Sequence, residues 1–174
     1  MERKTRGSVL NGYLKYIEEK WGAMELKVAR ADMGIDHMDF SDGQYYQDAI
    51  IGNVLRWINR NKGDDAVKKA GNFILHNLGI LSWMVRFSDF QTLVMKFPKN
   101  YSEVYAFGNC EVDVSNPKEV KMILTDVCYY EEACMVWEGI CKEALVMTKT
   151  KGNVDHTVCK RGETNHCEFV IKLL

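Results

Sequence analysis

Proline and net charge are the scarcest features of this 174-residue chain, which has two prolines and sets 23 basic residues against 24 acidic ones. Polyanion-binding domains carry a basic excess, so the charge balance excludes a nucleic-acid partner. No apolar run reaches the ~18 residues of a bilayer span, so no membrane span is expected. The opening stretch, Met1-Glu-Arg-Lys-Thr-Arg-Gly7, has no apolar signal core, which points to the cytoplasm. Cysteine is missing from everything before Cys110, and all six cysteines lie between Cys110 and Cys167. What is abundant is core material: 47% of the residues are hydrophobic and 11% aromatic, which excludes disorder and suits one domain.

The chain divides by texture rather than by a linker. Residues 7–90 read as helical, and residues 91–174 as mostly strands with one good helix. Val9, Leu10, Tyr13, Leu14, Ile17 and Trp21 recur at spacings of three and four, predicting a helix from an Ser8 cap to Gly22. Met24–Ala31 suggests a second short helix, and Gly34–Gly43 a loop. Tyr45–Asn59 and Asp64–Leu75 give two more helices, ended by Asn61-Lys62-Gly63 and Gly79, and Leu81–Phe87 reads as a short amphipathic piece. Thr92–Phe97 and Val104–Val114 read as strands, with Tyr101–Glu103 as a turn and Gly108 as a bulge or close backbone approach. Glu119–Val127 fits both a strand, through Val120, Met122 and Leu124, and a helix, through Val120, Ile123, Leu124 and Val127, and is read as a strand. Tyr130–Ala144 is a helix, and Leu145–Thr150, Val154–Lys160 and Cys167–Leu173 read as consecutive hairpin strands. The expected class is α+β, a helical layer packed on a C-terminal antiparallel sheet.

In a reducing compartment, clustered cysteines signal metal binding or reactivity more often than disulfides. Cys159 and Cys167 flank a turn, His156 precedes Cys159 by three, and Cys134 lies in the first turn of the preceding helix. Three cysteines and one histidine form the donor set of a closed, structural zinc site. The spacing also fits plain core cysteines, which behave as small hydrophobes. Cys110, Cys128 and Cys141 read as core thiols.

The run Cys134-Met-Val-Trp-Glu-Gly139, His156-x-x-Cys159, Gly162 and Cys167-Glu-Phe169 resembles the C-terminal part of 4-vinyl reductase domains. These are small-molecule-binding domains that include the sensor domains of phenol- and xylene-responsive activators. The resemblance implies zinc held by Cys134, His156, Cys159 and Cys167, with histidine where the family has glutamate, and a homodimer. Arg6-Gly-Ser-Val-Leu and Tyr16-Ile-Glu-Glu-Lys-Trp21-Gly22 resemble the opening of haem nitric-oxide-binding domains, whose fold is shared with 4-vinyl reductase domains and Golgi vesicle-tethering subunits. The haem family's Tyr-x-Ser-x-Arg motif is missing. His76, the histidine in an apolar helix of the N-terminal half, reads as a packing residue rather than an iron ligand.

The leading expectation is a small-molecule sensor domain with a hydrophobic or aromatic ligand and structural zinc. Trp57, Trp83, Met84, Phe87, Phe90, Met95 and Phe107 are candidate walls of an apolar pocket, with Arg86 as a polar anchor. The same residues suit a core. The alternatives are a vinyl reductase of tetrapyrrole metabolism or a thiol-dependent catalyst, a haem-binding domain, and a protein-interaction module. No Gly-rich dinucleotide loop supports a nucleotide cofactor.

Overall fold

The computed structural model describes residues 2–77, 89–159 and 164–174. The N-terminal half is helical. Helix α1 (Gly7–Trp21) buries Val9, Leu10, Tyr13, Leu14 and Ile17 along one stripe and ends at Gly22, whose φ of 92° is the left-handed value glycine accepts readily. Its N-terminal cap is Arg6, two residues earlier than the expected Ser8, with no side-chain capping bond. Helix α2 (Ala23–Asp32) follows, and then α3 (Asp48–Lys62) and α4 (Asp64–Asn77). Two three-residue strands, β1 (Lys4–Arg6) and β2 (Tyr45–Gln47), pair antiparallel and clip the entrance of α1 to that of α3. Three residues are too few for an alternation to show in sequence, so this pair was not expected.

The middle of the chain departs from the expected strands. Thr92–Phe97 and the Tyr101–Glu103 turn are replaced by two short helices, α5 (Phe90–Val94) and α6 (Phe97–Val104). Asp89 caps α5, accepting from the Thr92 backbone N–H at 2.9 Å and the Thr92 hydroxyl at 2.7 Å. Pro98 sits in the first turn of α6, where its missing N–H costs nothing. Buried Phe97 and Tyr101 are four residues apart, a helical spacing that the local alternation obscured.

Strands β3 (Asn109–Asn116), β4 (Glu119–Thr125), β5 (Gly152–Val158) and β6 (His166–Leu173) form an antiparallel sheet in the order β3-β4-β6-β5. The Val104–Val114 run becomes a strand only from Asn109. Gly108, at φ 65°, lies so close to the Thr125 and Asp126 carbonyls that a Cβ would collide with both. Helix α7 (Glu131–Met147) runs past the expected end at Ala144, so of the expected hairpin strands at the chain end only β5 and β6 pair. The Leu145–Thr150 strand is also corrected. Leu145 is buried and continues the apolar face of Cys141, and the helix runs on until the Thr148 hydroxyl donates to the Ala144 carbonyl.

Helices α4 and α7 pack most closely, because glycine faces backbone on both sides. A Cβ on Gly71 would strike the Val136 carbonyl, and one on Gly139 would strike the Lys68 carbonyl. This seam joins the helical half to the sheet-bearing half. The expected class of helices against an antiparallel sheet therefore holds. No helix among the described residues is long and apolar enough to cross a membrane.

Candidate functional site

Two places in this fold gather chemistry. The first is a cluster of soft donors at one edge of the sheet. Helix α7 supplies Cys134 from its first turn, β5 and the residue after it supply His156 and Cys159, and β6 supplies Cys167. One donor atom from each of these four lies within 4.8 Å of every other. Residues three apart on a regular strand face opposite sides, so His156 and Cys159 need a device to converge. The register provides it: His156 pairs with Phe169 while Val158 pairs with Glu168, so β5 carries one residue extra there. The His156 ring stacks on Phe169, with centroids 4.5 Å apart and planes 9° apart, and its buried Nε2 has no hydrogen-bond partner. The Cys134 and Cys167 sulfurs stand 3.8 Å apart, well beyond a disulfide bond, and all six cysteines are free.

A fourth thiol adjoins this group. Cys128 is fully buried, and hydrogen bonding with Cys134 and Cys167, together with burial, pushes its thiol far above the ordinary range. Cys134 is raised to about 12; its contact with Cys128 lowers it, but the contact with Cys167 and burial outweigh that. Sequence spacing did not reveal Cys128, because it lies between β4 and α7 and joins the group through tertiary packing. Burial raises Cys110 to about 12 and lifts Cys141 higher still, so neither is a poised nucleophile. His166 stays on the exposed side, beside Asn165.

The second place is a half-open cavity of about 500 Å³ bordered by α1, α4, α6 and α7. Val9, Ile74, Leu75, Phe97 and Ile140 give it apolar surface. Tyr101, Tyr105 and Trp137 form an aromatic wall: the two tyrosine rings stack at 4.6 Å, and Trp137 lies 6.0 Å from Tyr101. Arg6 and Asn100 supply polar edge, and Arg6 Nε and Asn100 Nδ2 are buried without hydrogen-bond partners.

The pocket walls named from sequence do not assemble here. Trp57 is buried on α3, its indole N–H donating to Asp32 at 3.0 Å, and Phe90 is buried in α5. Met95 is 53% exposed. Phe107 packs edge-on against Tyr105 behind the wall. None of these four lines the cavity. Trp83, Met84, Arg86 and Phe87 lie outside the described residues. Composition could supply aromatic residues for a pocket but could not say which ones α6 would turn inward, because α6 itself was read as strand and turn.

Against solved structures, the chain is similar in fold to H-NOX proteins. An H-NOX protein from S. oneidensis in the Fe(II)NO ligation state superposes with a TM-score of 0.79 at 16% identity, covering 97% of this chain and 99% of that one. An oxygen-binding H-NOX domain related to soluble guanylate cyclases gives 0.76 at 9% identity, covering 97% and 94%. A structure probing haem distortion in the H-NOX family gives 0.76 at 10% identity over the same shares. At such identities the likeness is one of fold. No family model matches the chain, and no curated protein does, so the 4-vinyl reductase resemblance gains no support there.

These neighbours correct the expectation of zinc as the cofactor: the names they carry speak of iron ligation and haem. The described residues of this chain do not fit haem either. No histidine, cysteine or methionine among them lines the cavity, so iron would find no nitrogen or sulfur ligand there. The Tyr101 hydroxyl donates to the Phe107 carbonyl at 2.6 Å, and burial pushes Tyr101 and Tyr105 far above the usual tyrosine range, against a tyrosinate ligand. The four histidines are placed elsewhere: His37 beside Asp36, His76 on Glu143 at 2.5 Å, His156 in the thiol cluster and His166 on β6.

Proposed function

We propose that this chain is a small-molecule-binding domain of the sensory kind, and that its ligand occupies the cavity between α1, α4, α6 and α7. The observation that carries the reading is the cavity itself. Its size falls within the range of small-molecule sites, and it joins an aromatic wall to a few polar atoms that have no partner in the protein. A core that merely packed would not leave both. The fold likeness to H-NOX domains supports the sensory part, and the misfit with haem iron points the ligand toward an organic molecule. Native mass spectrometry of the purified chain tests this: a bound mass released on unfolding is expected, and its loss in a cavity-filling Val104→Trp variant. A bound mass that survives Val104→Trp would place the ligand elsewhere.

A second reading concerns the thiol cluster. Cys134, His156, Cys159 and Cys167 are read as ligands of one thiophilic transition-metal ion that fastens the β5–β6 hairpin to α7. A tetrahedral thiolate site with bonds of about 2.3 Å has sulfur–sulfur edges of about 3.8 Å, the Cys134–Cys167 separation. The unpartnered His156 Nε2 supports the same reading. Elemental analysis is expected to find about one such ion per chain, lost in Cys159→Ser; a metal-free, fully folded protein would refute it. The free thiols suit a reducing, cytoplasmic setting. A homodimer, and kinship with 4-vinyl reductase domains, belong to this reading too, with light scattering as the check on the dimer.

A further inference from the structure

We infer that the cavity takes an aromatic anion, with its acceptor group held by Arg6 and Asn100 and its ring against the Tyr101–Tyr105–Trp137 wall. The inference rests on the reading of the cavity as a binding site. Its starting point is the kind of polar atom left over. Arg6 Nε and Asn100 Nδ2 are both hydrogen-bond donors, both are buried without a partner, and both belong to residues lining the same cavity. A buried donor left unpaired costs free energy that native proteins rarely leave uncompensated. Two such donors around one space ask for an acceptor with more than one lone pair, such as a carboxylate or sulfonate.

The acidic residues at the cavity do not answer that demand. Asp42 accepts from Asn11 at 2.8 Å, and Glu103 faces Lys99 at 4.0 Å. The guanidinium of Arg6 lies 6.0 Å from the Tyr45 ring centroid, too far for that ring to satisfy an N–H. What is left over is therefore one cationic N–H, from Arg6, and one amide N–H, from Asn100. The aromatic wall adjoins these donors, since Asn100 precedes Tyr101 on α6 and Thr5 bridges to Tyr105, and the stacked Tyr101 and Tyr105 rings with the tilted Trp137 offer aromatic surface to a ligand ring.

Two fluorescent probes separate these elements, because they share an aromatic body and differ in charge: anilinonaphthalene sulfonate, an anion, and N-phenylnaphthylamine, which is neutral. Saturable one-to-one binding is expected for both, with the anion bound about tenfold tighter or more, as a charge-assisted hydrogen bond implies. Asn100→Asp and Arg6→Met are each expected to bring the two affinities together, by weakening the anion about tenfold more than the neutral probe. Circular dichroism melts check that both variants fold, and Asn100→Leu serves if either does not. Equal affinities for the two probes in the unaltered chain, or a preference that survives both substitutions, would overturn the inference and leave the cavity reading standing. If neither probe binds, the cavity reading falls, and this inference with it.

Discussion

Replacing Gly139 with alanine sets two familiar effects against each other. In a helix interior, alanine is favoured over glycine by about 1 kcal/mol, so Gly139→Ala in an uncrowded helix would stabilise. Gly139, however, is buried where α7 crosses α4. Its new methyl would be driven into the Lys68 carbonyl, with Asn72 Oδ1 at 2.9 Å and the Lys68 carbonyl carbon at 3.0 Å. The obstacle is backbone rather than a flexible side chain, so relief requires the helices to part. Overpacking of this kind costs about 1–3 kcal/mol even where side chains can give. Backbone contact puts the expected net loss at about 2 kcal/mol after the propensity gain. For a chain of this size that is a fall in Tm of about 4–8 °C. Gly43→Ala is the control, since nothing lies within 4 Å of its Cβ position, and its Tm should hold. Gly71→Ala strikes the Val136 carbonyl on the same seam, so the double variant should lose less than the two single losses added. Urea and thermal unfolding followed by circular dichroism measure all four. A Gly139→Ala protein as stable as the parent, or more so, would refute the close crossing.

Asp48 gives a pH dependence of defined sign. Burial raises its carboxyl above the ordinary 3.8, outweighing the lowering effects of Thr5, Arg3 and Tyr130. The fold therefore favours the protonated form. Its contribution is fullest below 3.8 and is lost as pH rises through the folded-state value. Asp48→Asn keeps an acceptor for the Thr5 hydroxyl, now at 2.8 Å, and removes the charge. Its Tm relative to the parent should thus rise from pH 4 to pH 7, and a fall over that range would contradict the assignment. On the proposed metal reading of the thiol cluster, Cys159→Ser should lower both metal content and stability, whereas the core substitution Cys110→Ala should leave metal content unchanged. Tyr101→Phe removes the bond to the Phe107 carbonyl and is expected to cost about 1 kcal/mol in urea unfolding.

The long amphipathic helices were legible because their apolar stripes repeat over several turns, as in Val9 to Ile17 and Ile51 to Ile58. Strand β4 was half legible: Val120, Met122 and Leu124 alternate and are the residues buried, but Val120, Ile123, Leu124 and Val127 also kept a helical spacing. Helices α5 and α6 were not: each is short, and Leu93, Val94, Phe97 and Tyr101 suit both periods until Asp89 and Pro98 are seen as helix-start signals. The four cluster residues were legible from residue type and spacing, since a single hairpin brings three of them together. The cavity was not. Its donors, Arg6 and Asn100, are remote in sequence and line one cavity through the packing of α6, which was read as strand and turn.

A crystal structure of the chain soaked with anilinonaphthalene sulfonate tests the cavity most directly. The probe is expected between α1 and α6, its sulfonate within about 3.2 Å of Arg6 Nε and Asn100 Nδ2 and its rings beside Tyr101 and Trp137. A cavity closed by its own side chains, or a probe bound only on the outer surface, would contradict the account.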